Sequence, residues 1–82
     1  MTEFHYVYTL RSLSHLAQIY TGQTSDLRKR FREHNSGKVP HTAKFKPWRI
    51  RSVTAFPDRA RALNFERYLK SGSGRAFLHR HL

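Results

Sequence analysis

Eighty-two residues without a cysteine must fold on apolar packing alone, because neither a disulfide framework nor a cysteine-based zinc site can brace so short a chain. Surface-to-volume scaling leaves room for one thin core, so the chain reads as a single domain over residues 1–82, with 38% apolar residues to fill it. No apolar run approaches the roughly 20 residues that a membrane helix needs. The opening Met-Thr-Glu-Phe-His also lacks the basic-then-apolar layout of a secretion signal. The expected setting is cytoplasmic or nucleoid-associated, with no membrane partner.

Residues Phe4 to Leu10 alternate, with Phe4, Tyr6, Tyr8 and Leu10 on one face, as in a strand. After a polar stretch, Gln18 to Gly22 reads as a second strand that pairs antiparallel with the first. Thr24, Ser25 and Asp26 offer N-cap side chains to a helix from Leu27 to His34, which Asn35-Ser36-Gly37 ends. Lys38 to Pro47, with two prolines and no period, reads as a loop. Trp48 to Phe56 alternates as a third strand, and Pro57-Asp58 starts a helix from Arg59 to Lys70. Ser71-Gly72-Ser73-Gly74 is expected to break that helix before a short final one from Arg75 to Leu82. The order β-β-α-β-α-(α) predicts an α+β fold, a small three-stranded antiparallel sheet flanked by helices.

Sixteen Lys plus Arg stand against five Asp plus Glu, a formal charge of +11, which favours polyanionic partners through counterion release and steering. Arg11 is the only one of these cations before residue 28. No segment pairs a basic face with a strongly apolar one, which argues against an anionic membrane as the polyanion. Arg28, Lys29, Lys44, Lys46, Arg49 and Arg51 are candidates for non-specific backbone contacts, against a simple solvated basic face. Trp48 suits the core better than a base-stacking platform. His79 and His81 are either solvated or in contact with phosphate, and the six histidines have no zinc-type spacing.

Two helices carry charge on their apolar side. Arg30 and His34 share the stripe of Leu27 and Phe31, and Glu66 shares that of Ala62, Phe65 and Leu69. Charge turned toward a core needs a partner. Either Arg30 and Glu66 pair between the helices, or they line one cleft, where Arg30 meets phosphate and Glu66 a metal ion. Elimination favours a special role for Glu66: Glu3 lies at the terminus, Asp26 and Asp58 sit at cap positions, and Glu33 falls on the polar side of its helix. One carboxylate with waters suits Mg²⁺ and is a poor zinc site.

Tyr6-Val7-Tyr8, Tyr20-Thr21-Gly22, the run Asp26 to His34 and Arg61 to Glu66 together resemble the ordered motifs of the GIY-YIG nucleases, with Tyr8 and Tyr20 twelve residues apart. The resemblance covers about residues 4–82. It points to the minimal stand-alone subfamily, grouped with the nuclease domain of the excision-repair incision subunit. Tyr6 replaces the first glycine, Thr21 the middle isoleucine, and Gln23 a lysine that several members carry. Leu78 stands where some members have an asparagine.

The resemblance implies a metal-dependent endonuclease that hydrolyses phosphodiester bonds, with DNA ahead of RNA as substrate and one Mg²⁺ or Mn²⁺ as cofactor. The implied catalytic set is Tyr8, Tyr20, Arg30, His34 and Glu66, with Glu66 the metal ligand. Tyr8 is the candidate base if its pKa is lowered or if it passes its proton onward, and His34 competes as acceptor. Read without the resemblance, Tyr8 and Tyr20 are strand aromatics packed across a hairpin, His34 a helix C-terminal group on the dipole, and Gly22 a strand end or a close backbone approach. A protein partner could direct the domain to its site. The rival function is a non-catalytic nucleic-acid-binding module on a degenerate nuclease fold.

Overall fold

A computed structural model describes residues 3–82. Strands β1 (His5–Ser12) and β2 (Ile19–Thr24) form a hairpin, followed by helices α1 (Leu27–Ser36) and α2 (Pro40–Ala43). Strand β3 (Trp48–Phe56) and helices α3 (Arg59–Leu69) and α4 (Gly72–His81) complete the fold. The sheet is three-stranded and antiparallel, as expected from the sequence, and its spatial order is β2-β1-β3.

With β1 in the middle, both of its faces are covered, so its burial is not the one-sided pattern expected from alternation. Val7 packs with Ala62, Leu69 and Leu78 of α3 and α4 on one side. Tyr8 and Leu10 pack with Trp48 on the other, where Leu27 and Phe31 of α1 close over them. Phe4 lies before the strand and is exposed. The pairing of β1 with β3 shifts between Thr9, opposite Ser52, and Leu10, opposite Ile50, so Arg51 is the extra residue of a bulge.

The helix boundaries follow from local chemistry. Asp26 accepts from Lys29 N at 3.2 Å and Asp58 from Arg61 N at 2.8 Å, so both acids serve as the caps their positions suggest. Gly37, at φ 82°, ends α1 in the left-handed conformation that glycine adopts without strain. The Lys38–Pro47 segment is not wholly a loop, because Pro40 opens the single turn of α2. Asn35 fastens this region: its Oδ1 accepts from Trp48 N at 2.5 Å and its Nδ2 donates to Trp48 O at 3.0 Å. That one amide joins the end of α1 to the start of β3.

The Ser71–Gly74 segment initiates a helix as well as separating two. Ser71 caps α4 by accepting from Gly74 N at 3.2 Å, and Gly72 and Gly74 lie in the first turn rather than before it. Gly74 is needed for packing, because a Cβ there would sit 1.6 Å from the Tyr68 carbonyl oxygen. Gly72 has open space around it. Gly74→Ala is therefore expected to destabilise the fold by more than about 2 kcal/mol. Gly72→Ala should stabilise it by about 0.5 kcal/mol through helix propensity and a less flexible unfolded chain. Urea unfolding of the two variants beside the parent chain checks the opposite signs.

Candidate active site

The sheet face under α1 holds a chain of buried hydrogen bonds. Tyr8, His34 and Thr42 are each no more than 1% exposed, and they come from β1, α1 and α2. Thr42 has one hydroxyl proton, which it donates to the Val39 carbonyl at 3.3 Å. Its oxygen therefore accepts from His34 Nδ1–H at 2.8 Å, which fixes the tautomer. Nε2 is left bare and accepts the Tyr8 hydroxyl proton at 2.9 Å. Trp48 holds the turn from outside, donating its indole N–H to Thr42 O at 3.0 Å.

Tyr20 completes the aromatic wall, with its ring 4.8 Å from His34 and 6.2 Å from Tyr8. Gly22 lies opposite Tyr8 in the hairpin, and a Cβ there would come within 2.6 Å of the Tyr8 hydroxyl and 2.9 Å of the Tyr20 ring. Of the two roles open to this glycine, close approach is the one observed: the phenol lies over bare backbone.

Electrostatics fix the protonation states at neutral pH. Burial first, and the neighbouring Tyr20 second, push the Tyr8 hydroxyl up to about 12, with Arg30 pulling the other way and Glu66 adding to the rise. A tyrosinate made ready by a lowered pKa is thus not what this environment produces. Burial, then the nearby Arg30 charge, lower the His34 imidazole from its usual 6.5, so it is neutral and able to accept. Arg30 and Glu66 lie close enough to Tyr8 for their charges to act on it.

Arg30 and Glu66 do not pair with each other. Arg30 Nη1 donates to Glu33 Oε1 at 3.1 Å, and Lys70 Nζ donates to Glu66 Oε2 at 3.1 Å. Glu33 is half-buried and holds Arg30, rather than standing on a purely polar face. Among the described residues no three His, Asp or Glu side chains cluster as metal ligands. Glu66 is the residue that would hold a cation here, and a single carboxylate suits a hard ion such as Mg²⁺ that keeps much of its water shell. Arg28, Lys29, Lys44, Lys46 and Arg49 are exposed. Arg51 is not free with them, because its Nη2 donates to Leu78 O at 3.4 Å. Trp48 is core.

Sequence reasoning gave no role to Thr42 or to the side chain of Asn35. Pro40 was a signal for the α2 turn, but no spacing ties Thr42 to His34. At the asparagine position, Leu78 is buried in the core under α4. Gln23, at the lysine position, has its amide 3.3 Å from His5 Nδ1.

The comparisons with known proteins agree with the fold and identify its family. The family described as the GIY-YIG catalytic domain matches residues 4–78. A UPF0213 protein of Haloquadratum walsbyi is 35% identical over 72 residues, which is 87% of this chain and 79% of that protein. A UPF0213 protein of Cupriavidus pinatubonensis is 39% identical over 62 residues, 74% of this chain and 67% of that one. The solution NMR structure of the UPF0213 protein BH0048 from Bacillus halodurans is similar at a TM-score of 0.56 and 32% identity, covering 94% of this chain and 83% of that chain. No helix among the described residues is long and apolar enough to cross a membrane. With the motifs in their expected elements and most of its length matched, the chain belongs to the GIY-YIG family and is similar to its small UPF0213 members.

Proposed function

We propose that this chain is a metal-dependent endonuclease that hydrolyses phosphodiester bonds of nucleic acid, DNA ahead of RNA, in a cytoplasmic or nucleoid setting. The observation that carries the reading is the Tyr8–His34–Thr42 hydrogen-bond chain, buried and oriented for proton transfer, with Arg30 and Glu66 beside it. Water attacks phosphorus in line with the 3′ oxygen. Its proton passes to the Tyr8 oxygen as the Tyr8 proton passes to His34 Nε2, so no free tyrosinate is needed. The P–O3′ bond breaks to leave a 5′-phosphate and a 3′ oxygen that takes a proton from solvent. Arg30 stabilises charge on the non-bridging oxygens, and Tyr20 walls the cleft. Glu66 would hold a Mg²⁺ or Mn²⁺ ion, which when bound would supply neutralisation of the charge that develops during hydrolysis.

A second reading, a nucleic-acid-binding module without catalysis, is favoured by Leu78, which puts a buried apolar side chain where some members carry asparagine, and by Gln23 at the lysine position. The two readings diverge at Glu66. In a nuclease, Glu66→Gln and Arg30→Ala each lower cleavage of labelled DNA and RNA substrates by about a hundredfold or more in Mg²⁺ or Mn²⁺, with the fold intact by circular dichroism. In a binding module there is no cutting to lose, and Glu66→Gln tightens binding by removing a negative charge.

The proton relay has its own signature. His34 accepts only while unprotonated, and its pKa lies below 6.5, so the rate is steady from neutral pH upward and falls as the pH drops through that lowered value. Tyr8→Phe should cut the rate by about a hundredfold, and Thr42→Val by about tenfold through loss of the correct tautomer. Thr42→Ser, which keeps the hydroxyl, should recover most of it. Single-turnover rates across pH for these variants check the sequence of effects. A Thr42→Val rate equal to that of the parent chain would remove Thr42 from the relay.

A further inference from the structure

Beside the candidate active site, along the free edge of β2, lies a cleft of about 430 Å³ that the proposed reaction does not use. Two cations, Lys70 after α3 and Arg75 of α4, reach it together with the imidazoles of His41 from α2 and His79 from α4. No carboxylate is among the described residues that line it. Its apolar wall is formed by Ile19, Leu69 and Leu78. The cleft is continuous with the site, because Tyr20 lines it and also packs against His34, and Lys70 lines it and also pairs with Glu66.

We infer that this cleft is a nucleotide subsite, which takes an unpaired nucleotide next to the phosphate held by Arg30. The inference rests on the nuclease reading and names its substrate class: nucleic acid that is single-stranded, flapped or otherwise unpaired beside the cut. Several features point this way together. A volume of about 430 Å³ exceeds what a bare phosphate needs and falls in the range of small-ligand pockets, about 300–1,000 Å³. Cations on the rim with an apolar wall match a nucleotide, whose phosphate is charged and whose base has an apolar face. A concave pocket excludes a base that stays stacked and paired, so a duplex would have to unstack to enter, at a cost that is least for a strand already single.

The test is fluorescence anisotropy of a labelled oligothymidylate and of a blunt hairpin duplex, without divalent metal so that nothing is cut. The cleft variant is Arg75→Ala/His79→Ala. The control is Arg80→Ala/His81→Ala, which removes the same side-chain types from the same helix away from the cleft. All four positions are exposed, and thermal melts verify that both variants remain folded. The cleft variant should lose about tenfold in affinity for the single strand, less than about twofold for the duplex, and the control should lose little on either. If the cleft variant and the control lose affinity equally, the effect is general charge and the subsite is overturned. Cleavage by the parent chain, measured in parallel, separates the two readings. A chain that binds and cuts while the cleft variant matches the control loses only the subsite, whereas one that binds neither polymer loses the nucleic-acid reading and the subsite together.

Discussion

The rest of this structure depends on satisfying one buried imidazole. His34 has no exposed surface, so both ring nitrogens must find partners inside the protein. One partner arrives from β1 and the other from α2, on opposite sides of α1 in sequence. The short turn of α2 is held where the imidazole needs it by the Trp48 indole. Trp48 in turn is fixed by Asn35, one residue after His34 on the same helix. The loop of contacts closes on itself, so a shift of any member is felt by the others. Such closed polar networks specify one arrangement more sharply than apolar contacts do.

The charged groups are arranged on a different principle. Arg30 has its partner three residues on in the same helix, and Glu66 has its partner four residues on, at the residue that caps α3. Pairs of this spacing are weak and solvent-screened, and they restrain a side chain without consuming it. A direct pair between the two helices would have been harder to open for a phosphate or a cation. The buried hydrogen-bond chain is thus closely held, while Arg30 and Glu66, the groups proposed to meet substrate and ion, are restrained only by these local pairs.

Much of this was legible before the fold was known. Alternation located β1 and β3, and Asp26 and Asp58 announced the helices they cap, because strand period and capping are local physics. The candidate site residues Arg30, His34 and Glu66 stood out because charge on an apolar stripe needs an explanation. What was hidden is contact between distant segments. Gly74 looks like a breaker in sequence, and only the closeness of Tyr68 reveals it as a packing position. Thr42 lies in a segment without period, and its partner is fixed by tertiary folding alone. The protonation of Tyr8 depends on burial, which spacing does not reveal. Arg51 looked like one more surface cation until the β-bulge turned it toward α4.

The two apolar clusters lie on opposite sides of a sheet only three strands wide. The relay belongs to one cluster, while the helix that carries Glu66 is packed in the other. Substitutions that loosen the seating of α3 and α4 can therefore displace the carboxylate while the relay stays whole. For the proposed hydrolysis, drift in one half of the core would then be enough to end the reaction within a lineage, while the basic surface and the overall shape pass unchanged to descendants. In a fold of this design, a retained scaffold and a retained reaction are inherited separately.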